Sequence, residues 1–481
     1  MSTSRVEIDL QAVDHNVGVL ARLVGGGGAA RAEPGAALAP AARRVGICAV
    51  VKQDAYGLGA VRIASRLAAC PGVSMLAVYT PDEARALAEA NIALPVLVLM
   101  PMRELDRGDP LYRAAAAGRV HAAIHDAEQY AELSEAAGRL GARLGGHLFV
   151  DTGLGRGGLL PEQAVPLVRA MVSGPRAGAK VWLAGLMTHF SSPCCDAAFT
   201  AEQARVFRGF LGSVRELLPT GPLAPELHAA NTCGVLRSEK YHGTMVRVGQ
   251  SLYGFGVEEA SADGSMQFAA QAAGPGGLRP AVRWLSGIVH VKEVPAGFTV
   301  GYGATWTAPR RPDGAPTRLA LVPVGYADGY PRALGNAGSV ALTGRRWERK
   351  GETSGAGEAL PAGRDGAAAP LAPVVGRVSM DQLILDVTDA PAALGARGME
   401  VELAGPDRGQ ENFFPALARA AGSITHELLC RISPRVERVY RYPARAPASG
   451  AGAGPVAGRV VIVPEAERRG GGIGGASAVA R

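Results

Sequence analysis

Lys52 is the residue of this sequence whose chemistry and position call most clearly for an explanation. It ends an apolar run in the stretch AVVKQDAYGLG, residues 49–59, and a turn-prone segment follows it directly. Only five of the 50 lysines and arginines in the chain are lysines. Lysine is rarely buried, but its amine can lose a proton and attack a carbonyl carbon. Taken alone, a lysine at a strand end is more simply a solvated cap, so the case for chemistry depends on its neighbours.

Other candidate residues lie at or just after the ends of predicted strands. These residues are Arg156 in DTGLGRGG, His189 in THF, Asn231 and Thr232 in HAANT, and Arg247 and Gly249 in VRVGQ. Phosphate groups favour backbone N–H groups and hydroxyls, which Gly249, Thr232 and Tyr56 can provide. A lysine beside such groups suggests a Schiff base with pyridoxal 5′-phosphate (PLP).

The elements that must position these residues alternate regularly between residues 45 and 254. Near-continuous apolar runs, typical of parallel strands covered on both faces, occur at 45–52, 73–80, 94–100, 120–126, 147–153, 182–190, 225–231 and 245–254. Helical patterns lie between them, at 81–90, 127–140 and 161–172. This pattern predicts an α/β fold with an N-terminal (β/α)8 TIM-type barrel, in which the strand ends share one rim. An open doubly wound sheet is the alternative.

After residue 283 the sequence predicts a second, mainly β domain that ends near residue 440. We therefore expect a PLP-binding barrel over 1–258, whose first short strand joins the β domain, a flexible Gly/Ala-rich connection over 259–282, the β domain over 283–440, and a disordered tail over 441–481. Three segments rich in Ala, Gly and Pro have the composition of flexible insertions, at 24–42, 259–279 and 351–372.

The composition of the chain indicates which partners and which cellular location to expect. The net charge is +7 and the pI about 9.2, but the cations are scattered and show no interleaving with aromatic residues, so we expect no nucleic-acid partner. The six cysteines have neither metal-ligand nor disulfide-framework spacing, which predicts a reducing compartment and no metal. The N-terminus lacks a signal-peptide pattern, and no apolar run approaches 18 residues. We expect a cytoplasmic protein without membrane contact.

The motifs then lead to a resemblance. AVVKQDAYGLG resembles the PLP-lysine motif of alanine racemases, and further family motifs follow in family order: EIDLQAVDHN (7–16), VDTGLGRGG (150–158), THF (188–190), HAANT (228–232), VRVGQSLYG (246–254), GYGATW (301–306), GYADGYPR (325–332), GRVSMDQ (376–382) and RVERVY (435–440). The resemblance covers roughly residues 5–440, interrupted by the three insertions.

The resemblance implies a role for each matching residue. It makes Lys52, which holds PLP covalently, and Tyr302, supplied by the partner subunit of a homodimer, the two catalytic bases. Arg247 would face the pyridine nitrogen, with His189 linking it towards the tyrosine. Substrate-binding residues would be Arg156, the backbone N–H of Met380, and Tyr326 at the entrance. The phosphate would be held by Tyr56, Thr232, Gly249 and Gln250.

Several positions depart from the family pattern. Phe149 occupies the place where the family often has a lysine that becomes carbamylated and braces the substrate arginine. Leu58 replaces a common histidine, Thr232 a common serine and Gln250 a common aliphatic residue. His426 lies near the place of a tyrosine that often contacts the phosphate.

The expected activity is interconversion of L-alanine and D-alanine by two bases on opposite faces of the substrate. A broader amino-acid or serine racemase would share nearly every motif. A PLP-dependent decarboxylase is less favoured, because a carboxylate rather than Arg247 would then face the pyridine nitrogen. A non-catalytic PLP-binding protein would need only the barrel.

Overall fold

The computed structural model describes residues 3–25, 45–177, 180–260, 268–347, 369–442 and 460–461. The chain begins with strand β1 (Ser4–Asp9) and helix α1 (Leu10–Gly25). The next eight strands are β2 (Gly46–Val50), β3 (Val73–Val78), β4 (Val96–Val98), β5 (Val120–Ile124), β6 (Leu144–Phe149), β7 (Val181–Met187), β8 (Glu226–His228) and β9 (Met245–Val248).

Strands β2–β9 form a parallel barrel. Neighbouring strands pair in the order β8-β7-β6-β5-β4-β3-β2-β9. The gap between β8 and β9 is bridged by two backbone hydrogen bonds, from Thr244 N–H to the Leu227 carbonyl at 2.8 Å and from Arg247 N–H to the Ala230 carbonyl at 2.9 Å. The sheet therefore closes, which confirms the predicted barrel and excludes the open sheet.

The short segments α2 (Lys52–Gly57), whose backbone is not right-handed helical, and α9 (Thr232–Arg237) follow directly on β2 and β8. Helices cover the outside of the barrel: α3 (Ala60–Leu67), α4 (Pro81–Glu89), α5 (Pro110–Ala116), α6 (Ala127–Leu140), α7 (Pro161–Ala177) and α8 (Ala197–Val214). The three predicted helices correspond to α4, α6 and α7. Local sequence explains their ends: Thr80 and Glu83 form a capping box at α4, and Asp126 caps α6 by accepting from Gln129 N–H.

Alternation along each strand separates two cores. Residues that face the helices join the main core, whereas the barrel interior holds a small separate cluster: Cys48, Met75, Ala77, Leu97, Ala123, Phe149, Met187 and Met245. On β2, for example, Cys48 belongs to the interior cluster while Ile47 and Ala49 belong to the main core. The period of two follows from strand geometry.

The second half of the chain is mainly β, as predicted. After the short helices α10 (Val257–Ala260) and α11 (Ala269–Ala273) come strands β10 (Val282–Gly287), β11 (His290–Val294), β12 (Thr299–Val300), β13 (Trp306–Thr307), β14 (Thr317–Val322), β15 (Ser339–Arg346), β16 (Leu371–Pro373), β17 (Leu383–Asp386) and β18 (Met399–Ala404). Helices α12 (Phe414–Ala420) and α13 (Thr425–Arg431) precede β19 (Glu437–Arg441) and β20 (Val460–Val461).

The first strand of the chain lies in the large sheet of this second half. That sheet has the order β16-β15-β18-β10-β1-β19-β20. Strand β1 pairs antiparallel with β10, where Ser4 faces Ser286, and parallel with β19, where Arg5 faces Glu437. A three-stranded sheet β11-β14-β17 and the β12–β13 hairpin complete this part. The boundaries at 258 and 283 stay predictions.

Most of the segments expected to be flexible lie outside the described residues. This holds for most of 24–42, 351–372 and the tail 441–481, although Val460–Val461 pairs with Tyr440 and Arg441. Where the structure describes the connection 259–282, it contains α11, and Phe268 and Leu278 are buried.

The expectation that the cysteines form no disulfide is wrong. Cys194 and Cys233, 39 residues apart in sequence, form a disulfide. Their spacing gave no signal, because the contact depends on the loop after β7 meeting the start of α9. The other four cysteines are free thiols. Within the described part of the chain, no helix has the length and apolar character that a membrane crossing requires.

Candidate active site

A cavity of about 790 Å³ opens at the C-terminal ends of the barrel strands. Nine residues that the sequence analysis names as candidates line it: Lys52, Tyr56, Arg156, His189, Asn231, Thr232, Arg247, Gly249 and Gln250. Because they come from loops that follow β2, β6, β7 and β8 and from β9 and its end, only the closed barrel brings them together. His426, from α13 of the second half, also lines the cavity.

Lys52 stands where the chain leaves β2 and enters an unusual turn. The next four residues, Gln53, Asp54, Ala55 and Tyr56, all have left-handed backbone conformations, with φ between 51° and 62°. This conformation costs roughly 1–2 kcal/mol for each L-residue, and consecutive examples are rare. Such strain is characteristic of functional sites. Burial lowers the pKa of the Lys52 amine, and the positive charge of Arg156 lowers it further.

Tyr56 and Gly249 form a tight contact on the cavity wall. A Cβ atom on Gly249 would lie 2.0 Å from the Tyr56 hydroxyl oxygen, so only glycine leaves room for it. The Thr232 hydroxyl lies nearby, 3.1 Å from the Ser251 hydroxyl and 3.5 Å from the Gly249 nitrogen. Hydroxyls and backbone N–H groups around a glycine are the donor set that a phosphate requires. The residues present therefore fit PLP, with Lys52 in the same cavity.

Arg247 is held by a dense set of acceptors. Its Nη1 donates to Nδ1 of His228 at 2.9 Å and to the His228 carbonyl at 2.7 Å. Its Nη2 donates to the Thr188 carbonyl at 2.6 Å and to Nδ1 of His189 at 3.2 Å. Burial lowers the pKa of Arg247 to about 10, so it stays protonated at neutral pH. Burial and the same cation lower the pKa of His189 well below its usual value, so His189 is neutral.

The sequence analysis missed a row of histidines inside the barrel. Nε2 of His228 lies 2.9 Å from Nδ1 of His147, whose Nε2 lies 2.8 Å from Nδ1 of His121. A sequence signal exists, because glycine within a strand often marks a close approach. A Cβ on Gly145 would lie 2.5 Å from His121, and one on Gly185 would lie 2.3 Å from His147.

Three predicted residues lie outside the cavity. Tyr302, Tyr326 and Met380 belong to loops of the second half, where their exposed fractions are 74%, 43% and 55%. The structure brings these loops together: Tyr326 N–H donates to the Ser379 carbonyl, and the turn that carries Tyr302 packs on Gly376 and Arg377. None of the three lines the cavity of its own chain.

Two family models match the chain in succession. The model of the alanine racemase N-terminal domain matches residues 36–256, and that of the C-terminal domain matches residues 281–355 and 362–440.

The chain belongs to the alanine racemase family.

Individual alanine racemases are similar along nearly the whole chain. The protein named alanine racemase in Desulfovibrio desulfuricans is 33% identical over 441 residues, which cover 90% of this chain and 97% of the relative. The alanine racemase of Streptomyces lavendulae has 28% identity and a TM-score of 0.71, with 92% of this chain and 98% of that chain covered. The Bacillus anthracis enzyme, solved with bound L-Ala-P, has 25% identity and a TM-score of 0.68, with 92% and 95% covered. The predicted family is confirmed.

The departures from the alanine racemase pattern can now be placed. Phe149 is buried on β6 and contacts the His125 ring edge-on, with 5.3 Å between ring centroids. No carboxylate among the described residues forms an ion pair with Arg156. The His426 ring lies 5.7 Å from the Tyr56 ring, beside the predicted phosphate site. Leu58 is fully buried, so it occupies a core position at the end of the left-handed turn.

Proposed function

We infer that this protein is an alanine racemase, which interconverts L-alanine and D-alanine with PLP as its cofactor. The observation that carries this inference is the placement of Lys52 in one cavity with Arg247 and the Tyr56–Gly249 contact, in a chain that matches both domains of the family. When bound, PLP supplies an electron sink that stabilises negative charge at the substrate Cα.

The cavity residues would divide the work of holding PLP. Lys52 provides the amine for the covalent bond. Tyr56, Thr232, Gly249 and Gln250 provide hydroxyl and N–H donors for the phosphate. Arg247, which can only donate, would face the pyridine nitrogen and leave it without a proton.

Proton transfer requires groups on opposite faces of the substrate. Lys52 would supply one, since its lowered pKa increases the fraction of Nζ that is unprotonated, and so able to act as a base, near neutral pH. The hydroxyl oxygen of Tyr302 would be the other. Because Tyr302 is exposed and lies outside the cavity of its own chain, we propose that it serves the cavity of a second copy.

The substrate carboxylate would be bound by Arg156 and the backbone N–H of Met380. Arg156 lines the cavity, whereas Met380 and Tyr326 are exposed in the same part of the chain as Tyr302. A two-fold homodimer in which each copy presents this loop face to the other copy's cavity would complete both sites. We propose that arrangement.

The structure bears on the rival functions. No carboxylate side chain lines the cavity within the described residues, whereas the cation Arg247 does, and this supports a racemase over a decarboxylase. Discrimination between alanine and serine depends on Tyr302, Tyr326 and Met380, and we propose alanine as the main substrate.

We also propose a cytoplasmic location, although the Cys194–Cys233 disulfide removes the cysteine-based reason for it.

Complementation between inactive variants tests the shared site. Lys52→Ala and Tyr302→Phe homodimers should each be nearly inactive. Subunit exchange between them creates hybrid dimers in which one of two sites has both native residues, so the mixture should recover about a quarter of wild-type activity. No recovery, with exchange verified by mass spectrometry, would place both residues in one chain.

The activity itself is tested with L-alanine in deuterated water. Loss of optical rotation should accompany exchange of the Cα proton, and serine should react more slowly. A carbon dioxide product would instead show a decarboxylase.

A further inference from the structure

The left-handed turn after Lys52 is tied to a neighbouring loop by a single carboxylate. Glu83 lies in the first turn of α4, and its Oε1 accepts from Gln53 N–H at 2.5 Å. Its Oε2 accepts from Tyr79 N–H at 2.7 Å and Thr80 N–H at 3.0 Å. One side chain thus joins the segment after β3 to the residue that directly follows Lys52.

A helix cap explains only part of this arrangement. In a capping box the N3 glutamate accepts from the backbone of the N-cap residue, here Thr80, whose hydroxyl accepts in return from Glu83 N–H at 3.2 Å. That exchange uses Oε2 alone. The bond from Gln53 to Oε1 is additional, and it reaches across 30 residues of sequence to the first residue of the strained turn.

The turn needs such a restraint. Four successive L-residues with positive φ persist only where the surroundings determine their conformation. Asp54 fixes the far side of the turn, since its Oδ1 accepts from Ala60 N–H at 2.7 Å. Glu83 is the corresponding restraint on the near side, next to Lys52.

We propose that Glu83 is a positioning residue, which holds the left-handed turn against the β3–α4 loop and thereby directs the Lys52 amine into the cavity. The proposal deepens the proposed function, on which its kinetic part rests. The carboxylate also acts on Lys52 through its charge, which opposes the lowering of the Lys52 pKa by burial.

Two matched variants separate positioning from capping. Glu83→Gln keeps a side-chain oxygen for the helix cap, because glutamine also serves in capping boxes, but its NH₂ group then faces the Gln53 N–H. Thr80→Ala removes the reciprocal cap bond and leaves the Gln53–Glu83 contact in place. If Glu83 only caps α4, the two variants should behave alike.

The decisive readout does not need racemisation. The rate at which the cofactor-free protein captures PLP on Lys52 is measured against pH. Loss of the Glu83 charge should shift the midpoint to lower pH in Glu83→Gln, whereas Thr80→Ala should match wild type. In the loaded enzyme, Glu83→Gln should lower kcat about tenfold with KM within about twofold.

Equal behaviour of the two variants in both measurements would overturn the proposal. Should Glu83→Gln fail to fold, as judged by circular dichroism, Glu83→Asp serves instead: it keeps the charge but is one methylene shorter. That variant should retain the wild-type midpoint and lose kcat, and wild-type kcat in it would equally contradict the positioning role. If the wild-type chain captures PLP yet does not racemise alanine, the proposed function fails, while the rate of PLP capture on Lys52 in Glu83→Gln, compared with Thr80→Ala, still tests the role of Glu83.

Discussion

Nη1 of Arg247 donates to Nδ1 of His228 across 2.9 Å. This contact determines which ring nitrogen carries the proton in each histidine of the His228–His147–His121 row. A guanidinium has no acceptor, so Nδ1 of His228 carries no proton and Nε2 does. Nε2 of His228 then donates to His147, and Nε2 of His147 donates to His121. Burial lowers the pKa of all three imidazoles, so they are neutral, and the hydrogen bonds run in one direction from Arg247 to His121.

The first prediction is a loss of stability in acid. Burial lowers the pKa of His147 and His228 well below its usual value, and both side chains have no exposed surface. In the unfolded chain these histidines bind protons below about pH 6.5, before the folded state can. The free energy of unfolding should therefore be highest above pH 6.5 and fall below it, by about 1.4 kcal/mol per pH unit for each such histidine. Urea denaturation between pH 7.5 and pH 5, values that bracket about 6.5, measures the slope.

His147→Gln checks the assignment, because glutamine keeps a donor and an acceptor but does not titrate. The slope of the free energy of unfolding against pH should become shallower by the contribution of one histidine, about 1.4 kcal/mol per pH unit. His290→Gln, at an exposed position of β11, is the matched control and should leave the slope unchanged. An unchanged slope in His147→Gln would contradict the prediction.

A second prediction concerns the close contact at the phosphate site. Gly249→Ala places a methyl group 2.0 Å from the Tyr56 hydroxyl oxygen, so one of the two must move. Overpacking of this kind costs about 1–3 kcal/mol, and the Kd for PLP should rise about 10- to 100-fold in a fluorescence titration. Gly209→Ala, where a Cβ meets nothing within 4 Å on α8, should bind PLP normally. Normal PLP affinity in Gly249→Ala would indicate that the phosphate does not bind at Gly249.

A third prediction addresses the position occupied by Phe149. Arg156, which we propose as the residue that binds the substrate carboxylate, has no carboxylate partner within the described residues and so is not held by an ion pair. Phe149→Lys would restore the family's lysine, and the KM for alanine should fall severalfold when bicarbonate is present, with kcat nearly unchanged. Phe149→Met keeps an apolar side chain and should show no response to bicarbonate. Absence of a bicarbonate effect in the lysine variant would show that no carbamate forms there.

The fourth prediction is a thiol count. Denatured under non-reducing conditions, the protein should expose four reactive thiols out of six cysteines, because Cys194 and Cys233 are bonded. Cys233→Ser should lower the free energy of unfolding by about 2–4 kcal/mol in the absence of reductant. Cys195→Ser is the control, since Cys195 is exposed and free. Six reactive thiols would mean that the pair stays reduced.

Sequence patterns were sufficient to predict those parts of the fold that depend on a single local rule. The barrel strands follow from apolar runs, and α4 follows from the proline at its start and the acidic residues in its first turn, because both signals are local. Three contacts could not be predicted: the Cys194–Cys233 bond, the His121–His147–His228 row and the hydrogen bond from Gln53 N–H to Glu83. Each joins groups that are far apart in sequence and meet only in the folded chain. Lys52 was identified from its motif, but the left-handed turn after it leaves no trace in the residue types Gln, Asp, Ala and Tyr.

The place of β1 between β10 and β19 has a consequence for how the chain is made. Strand β1 leaves the ribosome long before its two neighbours, which begin at Val282 and Glu437. Both edges of β1 are open to wrong partners until β10 has been made, and one edge stays open until β19 follows. We expect nascent chains that stop after the barrel to depend on chaperones, and a circular permutant that starts at β10 to depend on them less.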